Sequence, residues 1–233
     1  MRVDSALQQA AVEAVARGAR AAGVDFSALL ETARRESGLD KNARAVTSSA
    51  VGLFQFIEST WLNMVQKHGP KYGIGVGDIA DKGERRRLLD LRYDPEIAAG
   101  MAGELTRENE ATLTGKLGRA PSASELYAAH VLGPEGAAAL IRAPAGASAA
   151  ALLPKAAGAN RTIFFGEGGA ALSAQTVLAK LSINPASQPA PVVSARPASS
   201  NNFADMLSLT GLAEALGDDL WALAMRAYRG DGR

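Results

Sequence analysis

Residues 29–61 read LLETARRESGLDKNARAVTSSAVGLFQFIESTW, and the fold turns on how this stretch is placed. Asp25 before it and Gly38 within it are an N-cap and a C-terminal stop, which predicts a helix between them. At about 100° per residue, Phe26, Leu30, Ala33 and Ser37 share one face. Leu29 and Glu36 lie together at the edge of that face, while Glu31 and Arg35 point away. Glu36 therefore falls at the apolar boundary, in the last helical turn. Burial there disfavours a charged carboxyl, and the partial negative charge of a helix C-terminus pushes the same way. A carboxyl held protonated is a general acid. The competing reading is a structural ion pair of Glu36 with Arg34 or Arg44.

Outward from this stretch the chain reads as helices separated by loops. Upstream, residues 4–22 are predicted helical, with Val12, Val15, Ala16 and Ala19 inward. Residues 39–50 read as polar loop, and 51–67 as apolar helix in one or two pieces ending at Gly69-Pro70. The stretch KYGIGVGDIADKG that follows is Gly-rich loop. It lacks the preceding strand and the Lys-Ser/Thr pair of a phosphate loop. Residues 84–91 read as a short basic helix whose Arg85-Arg86-Arg87 run reads as a solvated face, with an anion site as the alternative. Asp94-Pro95 opens a helix with Ile97, Met101, Leu105 and Leu113 inward. Ser122-x-x-Glu125 is a capping box, and Gly133-Pro134 restarts the chain. Ser148 caps a helix broken at Pro154, residues 160–165 (NRTIFF) read as the one extended segment, and Ser173 caps a last helix. Four prolines mark 184–202 as a linker, and 203–233 is an amphipathic helical tail that offers a stripe to a protein partner.

Composition agrees with an all-α chain. Its 233 residues are rich in alanine and only 5% aromatic, which favours closely packed helices over a sandwich of strands. Lys+Arg 25 against Asp+Glu 24 leaves no electrostatic footprint for nucleic acid. No apolar run is long enough for a membrane span. With no cysteine and only His68 and His130, neither a thiol nucleophile nor a metal centre is expected, and no cofactor is called for. Residues 1–15 lack the apolar core of a signal peptide.

The order of three blocks resembles the soluble lytic transglycosylase type of lysozyme-like domain. The first block is Glu36-Ser37-Gly38-Leu39, Asn42-Ala43, Ser49-Ala50-Val51-Gly52-Leu53-Phe54-Gln55-Phe56-Ile57 and Ser59-Thr60-Trp61. Ser49 stands where the family usually has Gly and Phe54 where it has Met, and the spacing from Glu36 to Gln55 is one residue longer than the commonest. The second block is Ile97-Ala98-Ala99-Gly100 leading to Leu105. The third, Leu126-Tyr127-Ala128-Ala129-His130, is a weak match to Ala-Tyr-Asn-Ala-Gly: Tyr127 is kept, while Ala128 and His130 replace Asn and Gly. The resemblance spans about residues 20–142. It implies a lysozyme-like helical domain of goose-lysozyme type over residues 1–183, the later helices being an extension.

The resemblance also implies an activity: cleavage of the β-1,4 bond between N-acetylmuramic acid and N-acetylglucosamine in peptidoglycan. Glu36 would be the single acid/base, closing a 1,6-anhydro ring. Substrate contacts would fall to Gln55, to the loop serines Ser48 and Ser49, and to Tyr127 and His130. A periplasmic or wall-associated location is implied with it. Asp40 and Glu58 stay open as a second carboxylate, which a hydrolysing muramidase or chitin-type glycosidase would need. A catalytically weak wall-binding module is the reading from another class, motivated by the altered third block, and an intracellular helical scaffold is a third.

Overall fold

Two glycines let the longest helices of the molecule meet backbone to backbone. In α1 (Arg2–Ala22) a Cβ on Gly18 would stand 2.5 Å from the Ala99 carbonyl carbon of α5 (Pro95–Leu117). One on Gly103 would stand 2.7 Å from the Ala22 Cβ. Alanine and glycine at this crossing explain the composition: close packing here needs small side chains on both helices. Val12, Val15, Ala16 and Ala19 are fully buried, as their spacing predicts, and Arg17 pairs with Glu96 at the rim.

The computed structural model describes residues 2–46 and 48–182, with side chains from Ala6 onward. Between the two long helices lie α2 (Phe26–Ser37), α3 (Glu58–His68) and α4 (Lys82–Asp90). After α5 come α6 (Ala123–Ile141), α7 (Ala149–Leu152), α8 (Pro154–Ala159), α9 (Arg161–Phe164) and α10 (Ala174–Leu181). Among the described residues the chain is all-α: extended pairing is confined to isolated bridges. The caps are those read from the sequence. Asp25, Asp94, Ser122, Ser148 and Ser173 each accept a bond from the first-turn backbone, and Ser122 and Glu125 form the full capping box. The kink at Gly133 is where the sequence restarts the chain. The stretches 184–202 and 203–233, read as linker and tail, lie outside the described residues.

Two expectations are corrected. Residues 51–57 are not helical: they form a tight turn bridged Val51 to Phe56, and α3 starts only at Glu58. Gly52 at φ +79° and Gln55 at φ +48° break the helix that the apolar run suggests. Nor is 160–165 extended. Residues 161–164 make a helical turn, and only Phe165 bridges, to Ala171. With no strand beside it, the segment meets its backbone needs locally, and the turn carries Phe164 into the core.

Two apolar cores result. The first gathers α1, α2, α3 and the N-terminal half of α5 around Trp61, Phe54 and Met101. The second gathers α6 to α10 around Leu140, Phe164 and Val177, with Leu113 from the far end of α5. Helix α5 belongs to both, so the seam between the cores runs past the end of α2.

Candidate active site

Glu36 sits at that seam. Its helix ends in a left-handed Gly38, whose N–H donates to Arg34 O at the C-cap. One residue on, Ser37 Oγ donates to Leu53 O at 2.8 Å, which ties the end of α2 to the 52–56 turn. The Glu36 side chain is 18% exposed, as the helical wheel places it. Across the seam, α6 presents two groups one helical turn apart to the same carboxylate oxygen. Tyr127 Oη donates to Glu36 Oε1 at 3.3 Å, and His130 Nε2 lies 3.4 Å from it. The rings of Tyr127 and His130 are stacked, 6.2 Å apart and 15° from parallel. Burial and then the charge of Glu36 push the Tyr127 hydroxyl up to about 12, so it remains a donor throughout the neutral range. Glu36 Oε2 has no protein partner among the described residues, which leaves it as the oxygen free to meet a ligand.

Arg35 completes this face in a way the helical wheel does not foresee. It points away from the first core, as expected, but its guanidinium lies over the Tyr127 ring, 4.4 Å from the centroid. It also donates to the carbonyls of Lys180, Leu181 and Ser182 at the end of α10. A single side chain thus joins the Glu36 helix, the tyrosine and the last described helix.

The loop residues are placed differently. Gln55 uses its side-chain amide nitrogen inside the turn, donating to Gly52 O at 2.9 Å and Ala43 O at 3.2 Å. This holds its own positive φ, and it leaves the amide oxygen as the group available outward. Ser48 Oγ accepts from Ala50 N and Ser49 Oγ from Glu58 N. Both serines are exposed on a cavity of about 500 Å³ with Arg44, Arg85 and Arg92, and Glu36 is not in its lining. Another cavity, of about 570 Å³, is lined by Gln66, Pro70 and residues 73–77 and holds no titratable group.

The open carboxylates are engaged elsewhere. Asp40 is an exposed turn residue accepting from Asn42 N, and Glu58 pairs with Arg85 at 3.0 Å. Arg44, one of the two suggested partners of Glu36, lies over the Tyr93 ring instead. Among the described residues no group of three His, Asp or Glu side chains is placed to hold a metal ion, and no helix is long and apolar enough to cross a membrane. No protein-family model matches this chain.

Proposed function

We propose that the chain is a lytic transglycosylase of lysozyme-like fold, cleaving the bond between N-acetylmuramic acid and N-acetylglucosamine with Glu36 as its acid/base. The observation that carries this reading is the asymmetry of the Glu36 carboxyl. Oε1 is fixed by Tyr127 and His130, while Oε2 is open at the seam. The engagement of Asp40 and Glu58 supports a one-carboxylate mechanism.

In that mechanism protonated Glu36 gives its proton to the glycosidic oxygen as the bond to C1 of the muramoyl residue breaks, and N-acetylglucosamine leaves with a 4-hydroxyl. The resulting carboxylate takes the proton of the muramoyl C6 hydroxyl as O6 closes on C1. The 1,6-anhydro ring forms and the proton is back on Glu36. No water enters, so no second carboxylate is needed to activate one, in contrast to hydrolysing glycosidases. Tyr127, held by Arg35, keeps Oε1 oriented through both steps. The Gln55 amide oxygen and the Ser48 and Ser49 hydroxyls offer hydrogen bonds to sugar hydroxyls and N-acetyl groups.

Purified sacculi and product mass spectrometry test the reading. The wild type is expected to release 1,6-anhydromuropeptides. Glu36→Gln is expected to fold and to lose turnover by at least about a thousandfold. Reducing-end muramic acid alone would point to a hydrolysing muramidase, and full activity of Glu36→Gln would remove Glu36 from the mechanism.

A further inference from the structure

The 500 Å³ cavity beside the 44–58 loop concentrates positive charge that a chain of net charge +1 otherwise disperses. Arg44, Lys82, Arg85, Arg86 and Arg92 line it against the carboxylates of Glu58 and Asp90 alone. Among the described residues Arg85 alone of the five makes an ion pair, with Glu58 at 3.0 Å. Among the described residues Arg44, Lys82 and Arg86 have no carboxylate within 4.0 Å, and all three are exposed.

Arg92 is the most informative of the five. It is 7% exposed, yet its guanidinium is held by backbone carbonyls, not by an acid: Nε donates to Leu89 O at 2.9 Å, and Nη1 to Ser49 O at 2.8 Å and Phe56 O at 3.1 Å. Nη2 makes no hydrogen bond with the described residues and is not sealed from solvent. Glu58 and Asp90 act on this buried cation only at longer range, with no ion pair to it, so it is costly to keep, and it lines a cavity ringed by further cations. The arrangement asks for an anion, and guanidinium forks suit carboxylates.

The cavity is also joined to the 52–56 turn. Gly52 packs directly against the Arg92 carbonyl, and the same turn is tied to the end of α2 through Ser37 and Leu53. A strand of glycan at Glu36 carries peptides on its muramoyl residues, and those peptides end in and contain free carboxylates. We infer that this cavity is a subsite for the acidic peptide borne on the glycan, binding its carboxylates through Arg92, Arg86 and Lys82. The inference rests on the proposed substrate and adds a second recognition element to it, adjoining the sugar contacts where Ser48 and Ser49 line the same cavity.

Binding measured without turnover keeps the two readings apart. The probe is the tripeptide L-alanyl-γ-D-glutamyl-diaminopimelate, titrated into the wild-type protein and followed by NMR shifts or calorimetry. The expected result is saturable binding that weakens as salt rises, with amides of Ser49 and residues 82–92 shifting. Lys82→Glu with Arg86→Glu should weaken it roughly tenfold, and circular dichroism confirms that this exposed pair leaves the fold intact. Conversion of the tripeptide carboxylates to amides should abolish binding. Equal affinity of the double variant, equal affinity of the amidated tripeptide, or displacement by inorganic phosphate at the tripeptide's own concentration would each overturn the subsite. Tripeptide binding by a protein that leaves sacculi intact would instead overturn the chemistry assigned to Glu36.

Discussion

At Glu36 the useful distinction is between its two oxygens. One is shared by a phenol and an imidazole from a helix more than ninety residues away in sequence, and the other is left open. The phenol is the firmer partner, because burial keeps Tyr127 protonated far above neutral pH. Tyr127→Phe removes that single hydrogen bond while keeping the ring under Arg35. The proposed mechanism then predicts a fall in kcat of about tenfold, the worth of one hydrogen bond to a charged group. KM on sacculi and the melting temperature should hardly move, since the ring still packs. A fall in the melting temperature as large as that of a core substitution would recast Tyr127 as packing alone. The sequence offered Glu36 and Tyr127 by their pattern. It could not offer the contact between them, which depends on how α6 crosses the end of α2. Arg35 was legible only as a residue facing away from the first core, because the second core that it reaches is built from segments far downstream. Arg92 left no signal at all: a lone arginine in a short turn does not advertise burial.

At the scale of elements, capping and periodicity were enough to place most helices. Asp25, Asp94, Ser122 and Ser173 cap through their own side chains, a local interaction that sequence carries directly. The failure at 51–57 is equally physical. A run of apolar residues is compatible with a buried helix or a buried turn, and the choice was made by a tertiary contact. Gly52 lies against the Arg92 carbonyl at φ +79°, where neither the dihedral nor the space admits a side chain. Gly52→Ala should therefore cost about 2–4 kcal/mol of unfolding free energy, combining left-handed strain with overpacking. Gly38→Ala is the matched comparison. Its φ is +62° but nothing lies within 4 Å of the added Cβ, so about 1 kcal/mol is expected. Urea denaturation of both variants measures the difference, and equal costs would mean that the turn yields easily to the intrusion. The same collision moves the turn relative to Ser37 and hence to Glu36, so Gly52→Ala should also lower kcat beyond what its residual folded fraction explains.

Across the whole molecule, α5 is the shared wall of both cores, and its charged stripe is held by one buried carboxylate. Glu104 is solvent-inaccessible. Its Oε1 accepts from Lys71 at 2.5 Å and Tyr72 at 3.1 Å, and its Oε2 accepts from Arg107 at 2.6 Å. His68 lies between this residue and the next turn, 3.6 Å from Glu104 and 2.6 Å from Glu108, which also pairs with Lys67. Burial alone would raise the Glu104 carboxyl, but the hydrogen bonds from Lys71, Arg107 and Tyr72 outweigh it and hold the group at about 2, below its ordinary 4.5. Glu108 is lowered by Lys67 and His68 against a smaller burial penalty than their combined pull. A carboxyl depressed in the folded state contributes stability that is complete above its unfolded value and is lost as the pH falls through the folded one. The stripe should therefore hold α3, the turn after it and α5 together at neutral pH, then weaken between about pH 4.5 and pH 2. Glu104→Gln keeps the shape and the Tyr72 contact but gives up the charge. It should lose about 1–3 kcal/mol at neutral pH, where Lys71 and Arg107 are half exposed and can resolvate. It should also flatten the decline in unfolding free energy below about pH 4.5, because the group responsible no longer titrates. Urea midpoints of both proteins at intervals from neutral to acidic pH carry the comparison. An unchanged acid slope in Glu104→Gln would place the acid sensitivity in other carboxylates and reduce the stripe to packing.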